Sequence, residues 1–172
     1  QESFDLERQG FLGGSLILIQ TITISSSTAT ADFTSIDGAK YDTHFLILEN
    51  NAGGGDMDIL FSNDSGSSFE TSNYQTAQQY GTPSGGNGED RSTSDSKIRV
   101  SIGSPTENAY VYLYDLNNSS KYSFATFHSA GNTGFKYGGG VYTQSETINA
   151  IRVDGSSGNF NTLVAKLYGV KK

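Results

Sequence analysis

Cysteine and tryptophan are absent from this 172-residue chain, and proline occurs only twice. Without cysteine there is no disulfide framework and no thiolate metal site, so stability has to come from packing, hydrogen bonds and assembly. Charge is scarce as well: 17% of the residues are Asp, Glu, Lys or Arg, against the ~25% usual in soluble domains. Ser, Thr, Asn and Gly supply the polar surface instead. The balance is acidic, with a formal net charge of −7 and only 11 Lys plus Arg. Apart from the terminal Lys171-Lys172 there is no basic run, so binding along a phosphate backbone is disfavoured and no nucleic-acid partner is expected. Long hydrophobic runs are missing too. The most apolar stretch, Leu16 to Ile19, falls far short of the ~20 residues of a membrane-spanning helix. No charged-then-apolar leader precedes it, so a soluble mature protein without membrane contact is expected.

Catalytic signatures are equally lacking. No GxSxG, GxGxxG, GxxxxGK[ST] or HExxH pattern occurs, which removes the sequence support for nucleophile-elbow, dinucleotide, P-loop and zincin chemistry. Only two histidines are present, His44 and His128, both inside predicted strands and both read as packed or edge-strand residues. No enzymatic activity and no cofactor are expected.

Strand signals fill most of the chain. Helix formers at helical spacing are nearly absent, and Gly, Ser or Asn interrupts almost every ten residues. Leu16 to Ile24 is apolar on both faces in its first half, as in a central strand, and Ser25-Ser26-Ser27 reads as a hairpin turn into Thr28 to Thr34. Tyr41 to Glu49, Asp56 to Ser62 and Lys97 to Gly103 follow; then Ala109 to Asp115, Lys121 to Ser129, Lys136 to Gln144, Thr147 to Asp154 and Gly158 to Val170. About ten strands at this spacing predict an all-β antiparallel sandwich of residues 15–172. Residues 1–14, with Phe4, Leu6, Phe11 and Leu12 as apolar handles, read as an extended N-terminal arm. Residues 72–95, poor in apolar side chains, read as a long loop.

Two constellations are candidate sites. Asp56 and Asp58 lie two apart on a predicted strand, and Asp64 follows in a turn; converging hard oxygens of this kind can hold Ca2+. The same pattern is that of solvent-facing strand residues before an Asx-type turn, the reading preferred here, so no metal is expected. Tyr110, Tyr112 and Tyr114 share one strand face, with Val111 and Leu113 on the other. Three such rings suit sugar stacking or protein contact, and burial within the chain or at a subunit interface is preferred over ligand binding.

Certain motifs also carry a resemblance. The end of the chain, two strand-like runs around Asp154-Gly155-Ser156-Ser157-Gly158 and closing on Leu167-Tyr168-Gly169, resembles the terminal hairpin of small β-sandwich domains of bacteriophage virions, on tail fibres and capsid-surface decoration proteins. Asp32 to Asp37, Tyr41 to Phe45, and Leu60 to Phe69 resemble the segments that open those domains. The resemblance implies a jelly-roll-like antiparallel β-sandwich and a structural or adhesive role on the virion surface. It implies capsid or other virion proteins as partners, with a homotrimer as one assembly. Capsid decoration is the leading expectation, with Phe4, Leu6, Phe11 and Leu12 of the arm and Tyr110, Tyr112 and Tyr114 as partner-binding residues. The alternative is a tail-fibre or receptor-binding module that takes a host-surface glycan.

Overall fold

A computed structural model describes residues 15–53, 56–104, 106–155 and 158–171. The N-terminal arm, with Phe4, Leu6, Phe11 and Leu12, lies outside the described residues. Twelve strands are described: β1 (Leu16–Ile24), β2 (Thr30–Phe33), β3 (Thr43–Gly53), β4 (Met57–Ser62), β5 (Tyr74–Gly81), β6 (Asn87–Asp95), β7 (Ile98–Arg99), β8 (Thr106–Tyr114), β9 (Ser123–Gly131), β10 (Gly134–Tyr142), β11 (Ala150–Gly155) and β12 (Phe160–Val170). They form two antiparallel sheets, an eight-stranded one in the order β1-β12-β3-β8-β9-β10-β5-β6 and a four-stranded one in the order β2-β11-β4-β7. The expected all-β antiparallel sandwich is therefore the fold.

The period-2 alternation of the strands builds the core between the sheets. Leu46 and Leu48 of β3, Val111 and Leu113 of β8, and Leu163, Ala165 and Leu167 of β12 face Phe33, Ile59, Phe61, Ile151 and Val153 of the smaller sheet, all buried. Each fully buried side chain of this size stabilises the fold by about 1.5–3 kcal/mol. Tyr74 of β5 and Tyr142 of β10 pack their rings 5.1 Å apart and each lies about 6 Å from Phe61. The far half of the large sheet is thereby clamped to β4, and the Phe61 amide donates to the Tyr74 hydroxyl at 2.8 Å.

Several connections differ from the sequence expectation. Ser25 to Ser27 does not close a hairpin: β1 and β2 lie in different sheets. β11 and β12 likewise lie in different sheets rather than in one hairpin, and the segment after Leu60-Phe61-Ser62 leads from β4 to β5 in the other sheet. Turn chemistry and strand alternation are the same for a hairpin and a crossover, so local sequence does not separate them. β1 is an edge strand rather than a central one, and leaves Leu16 and Leu18 exposed. Residues 72–95 are not a loop but the β5–β6 hairpin. That hairpin is poor in apolar residues because its inner face is polar: Gln78 donates to Asp90 at 2.9 Å and Thr76 to Asp95 at 3.3 Å. Only Ile98–Arg99 of the expected Lys97 to Gly103 strand pairs as one. Beyond it the Val100 and Ser101 amides share the Met57 carbonyl, at 3.0 and 3.1 Å.

Both histidines sit on strands. His44 is buried, with Nε2 2.6 Å from the Ile36 carbonyl. Burial lowers its pKa, opposed by that hydrogen bond and by Asp37. The unfolded chain therefore takes up the proton first, near pH ~6.5, and stability present above that pH falls as the solution is acidified through it. Asp56 and Asp154, raised chiefly by burial, act in the opposite sense in the carboxylate range. The expected result is a folding free energy that declines as the pH falls below ~6.5, a decline that His44→Gln loses. Urea titrations at stepped pH check it; an identical decline in the variant would assign the effect to other groups.

Candidate functional site

The two outer surfaces of the sandwich are unlike. On the small sheet, Arg152 of β11 stands opposite Asp32 of β2 and grips it through Nε and Nη2 at 2.8 and 2.7 Å. Its guanidinium also lies 4.0 Å from the centre of the Phe69 ring. That face is polar and covered. The large sheet instead presents aromatic rings to solvent.

Strand register assembles this aromatic face. Residues directly opposite across antiparallel strands share a face, which sets three transverse rows. The first runs Tyr110–His128–Tyr137–Gln79–Glu89, the second Tyr112–Thr126–Gly139–Ala77–Arg91, and the third Tyr114–Phe124–Val141–Gln75. Tyr110, Tyr112, Phe124, Phe135 and Tyr137 are between 36% and 46% exposed, high values for large rings in mid-sheet. Phe45 and Tyr168 extend the face towards β1, with the Phe45 and Tyr112 ring centres 4.5 Å apart.

The rings are held sideways by their hydroxyls. Tyr110 Oη is 3.1 Å from His128 Nδ1, Tyr114 Oη is 3.2 Å from Thr126 Oγ1, and the Tyr137 hydroxyl donates to Gln79 Oε1. Each of these bonds ties the ring of Tyr110, Tyr114 or Tyr137 to the next strand, while Tyr110 and Tyr137 remain 43% exposed. Such a platform is pre-ordered, and a ligand that stacks on it does not have to immobilise free side chains.

The expectations for individual residues divide. Tyr110, Tyr112 and Tyr114 do share one face, but burial within the chain is overturned for the first two, which are 43% and 36% exposed, because among the described residues no second layer covers this side of the sheet. The acidic trio does not converge. Asp58 is buried rather than solvent-facing, and its carboxylate meets Lys97 Nζ at 2.8 Å. Asp64 lies beyond the far end of β4, roughly 13 Å or more away at ~3.3 Å per residue. There it accepts from the Ser68 amide at 2.9 Å and from the Ser68 and Ser62 hydroxyls at 2.7 and 2.8 Å. Those bonds, the Ser68 amide first, lower its pKa to about 2. Among the described residues no group of three or more acidic or histidine side chains is placed to hold a metal ion.

Sequence reading missed most of the face. Phe124, Thr126 and His128 alternate with the buried Ala125, Phe127 and Ser129, a signal present in the sequence. Without register there was no reason to join it to Tyr112 or to Gly139.

A polar cleft of about 290 Å³ opens at the sandwich edge among Asp56, Asp58, Asp90, Lys97, Arg99 and Lys136. Lys136 is 8% exposed and donates to the Ser101 carbonyl at 2.7 Å. Burial lowers its pKa, against the pull of Asp90, Asp58, Glu107 and Asp56. Opposite charges alternate through the cleft, and the arrangement reads as an internal ion-pair network.

Fold and site together define an all-β sandwich with an exposed aromatic sheet face. The chain matches no protein-family model and no curated protein.

Proposed function

We propose that this chain is a non-catalytic structural protein of a bacteriophage virion surface and that it works as a recognition module through the aromatic face of its large sheet. The observation that carries the recognition role is that face itself: Tyr110 and Tyr137 tied in place by lateral hydrogen bonds, beside Tyr112, Phe124 and Phe135, all left open to solvent. The virion assignment is supported by the order of the motifs resembling virion sandwiches. The jelly-roll-like reading is supported by strand order. Setting aside the β5–β6 and β9–β10 hairpins and renumbering the remaining eight strands leaves 1-8-3-6 facing 2-7-4-5, two interleaved Greek keys.

Tyr112→Ala tests the recognition role, since the ring is exposed and its loss leaves the core untouched. Binding of labelled protein to host cells or to undecorated particles is expected to weaken about tenfold, with an unchanged melting temperature. Undiminished binding to both would sink the recognition face. Capsid decoration and a tail-fibre position are separated by counting copies in intact particles: hundreds for a decoration protein, a few to a few dozen for a tail component.

A further inference from the structure

Across the large sheet the second transverse row dips. Thr126, Gly139 and Ala77 stand side by side on β9, β10 and β5, between higher rows that carry Phe124 and Val141 on one side and His128, Tyr137 and Gln79 on the other. The result is a groove of about 830 Å³, lined among others by Gln75, Tyr114, Phe124 and Val141, with Arg91 at its β6 end. Tyr112 stands at the other end of the row. From β8 to β6 the row crosses four inter-strand spacings, roughly 19 Å at ~4.8 Å each.

We propose that this groove binds an extended, uncharged oligosaccharide. The inference rests on the recognition role proposed above and names the ligand class of that face. Glycine in a strand interior is disfavoured and marks a place where something approaches the backbone closely. Gly138 and Gly140 have their neighbours inside the protein, against Gln78 and Ile98; Gly139 lies on the outer face, where a Cβ would stand 2.8 Å from the Ala125 carbonyl oxygen of β9, so the close approach of that strand requires the glycine, and the nearest side-chain atom is 3.8 Å away. Its missing side chain leaves the groove floor open. Phe124 and Tyr137, 42% and 43% exposed, offer apolar ring surface to the C–H faces of sugar rings. Gln75, Thr126 and Gln79 offer hydrogen bonds to hydroxyls at the edges. At the row's β6 end Arg91 meets Glu89 of the neighbouring row at 3.0 Å, a pairing of opposite charges that suits a neutral chain.

Two other occupants fit less well. A peptide strand gains its affinity from backbone hydrogen bonds at a sheet edge, and here the backbone groups are consumed in the ladders on both sides. A second copy would have to be self-complementary about a two-fold axis, which two identical concave grooves are not. The groove also lies almost wholly on the two hairpins added to the eight-strand frame, β5–β6 and β9–β10.

The test is titration of the full chain with neutral gluco-, manno-, galacto- and xylo-configured hexasaccharides, followed by calorimetry and by amide chemical shifts. Binding to at least one is expected, with shifts centred on β9, β10 and β5 and reaching Tyr114 and Arg91 at the groove's margins. Phe124→Ala should weaken it about tenfold. Ala77→Glu, which fills the floor from an exposed position, should abolish it, and Ile47→Glu, in the neighbouring hollow, should leave it unchanged. All variants are to be compared at equal melting temperature. Absence of binding to the whole panel, binding that survives Ala77→Glu, shifts centred on Phe45 and Tyr110, or self-association lost in Ala77→Glu each overturns the proposal. Cell or particle binding that is lost in Tyr112→Ala while every saccharide titration stays blank would leave the recognition role standing and remove the saccharide.

Discussion

Gly138→Ala is expected to destabilise the protein by about 3 kcal/mol, near the upper end for overpacking a filled interior, and to lower the melting temperature by about 10 °C. Gly138 sits mid-strand in β10, paired with Phe127 of β9 and Gln78 of β5. A methyl group there would stand 2.4 Å from the Ala77 carbonyl oxygen and 2.6 and 2.7 Å from Cβ and Cα of Gln78. These atoms belong to the neighbouring strand, so no rotamer change relieves the clash; β5 has to move away from β10. The damage should be local first. Hydrogen exchange of the β5 and β6 amides is expected to accelerate before that of β3 and β12, because β6 is an edge strand that pairs with β5 alone. A melting temperature within ~2 °C of the parent would show that the sheet yields at this point and that the close approach is soft.

Glu107→Ala is expected to cost about 3–5 kcal/mol, the range for removing one partner of a buried charged cluster. Glu107 is 2% exposed at the start of β8. Its carboxylate accepts from the Ser101 hydroxyl at 2.6 Å, the Ile102 amide at 2.7 Å and the Ser104 amide at 3.4 Å. Three donors of the segment between β7 and β8 therefore converge on one acidic side chain, which is why the strand expected through Gly103 bends away after Arg99. Ser101 in turn offers its carbonyl to Lys136, so the loss propagates to β10 and leaves a buried cation with one anion fewer nearby. Glu107→Gln keeps the shape and part of the acceptor capacity, and should cost about 1–2 kcal/mol. Chemical denaturation of both variants checks the ranking; equal losses would mean that packing, rather than the carboxylate, holds the segment.

The fold class was legible because it is written locally. Alternations such as Leu163, Ala165 and Leu167 against Thr162, Val164 and Lys166 set a two-faced strand whatever it pairs with. The exposed tyrosines of β8 were legible as a face for the same reason, though not as an exposed one. The β5–β6 hairpin was illegible because the buried polar residues on its inner side are Thr76, Gln78 and Asp95, whose burial depends on partners such as Asp95 for Thr76 and Asp90 for Gln78. Asp58 misled in the same way: polarity on a strand reads as solvent exposure until Lys97 is brought to it from nearly forty residues away.

By itself the sequence determined the strand content, the lack of staples and catalytic motifs, and which residues alternate along each strand, since these follow from side-chain period and chemistry over a few residues. Which strands share a sheet, whether a turn closes a hairpin or crosses the sandwich, and which rings gather around Gly139 were decided only by the tertiary structure. The reason is physical: register between strands far apart in sequence is set by the summed burial of both faces, a quantity that no local segment carries. The groove exists only in that register. A slip of one residue between β9 and β10 would turn Gly139 inward and leave the aromatic face without its floor.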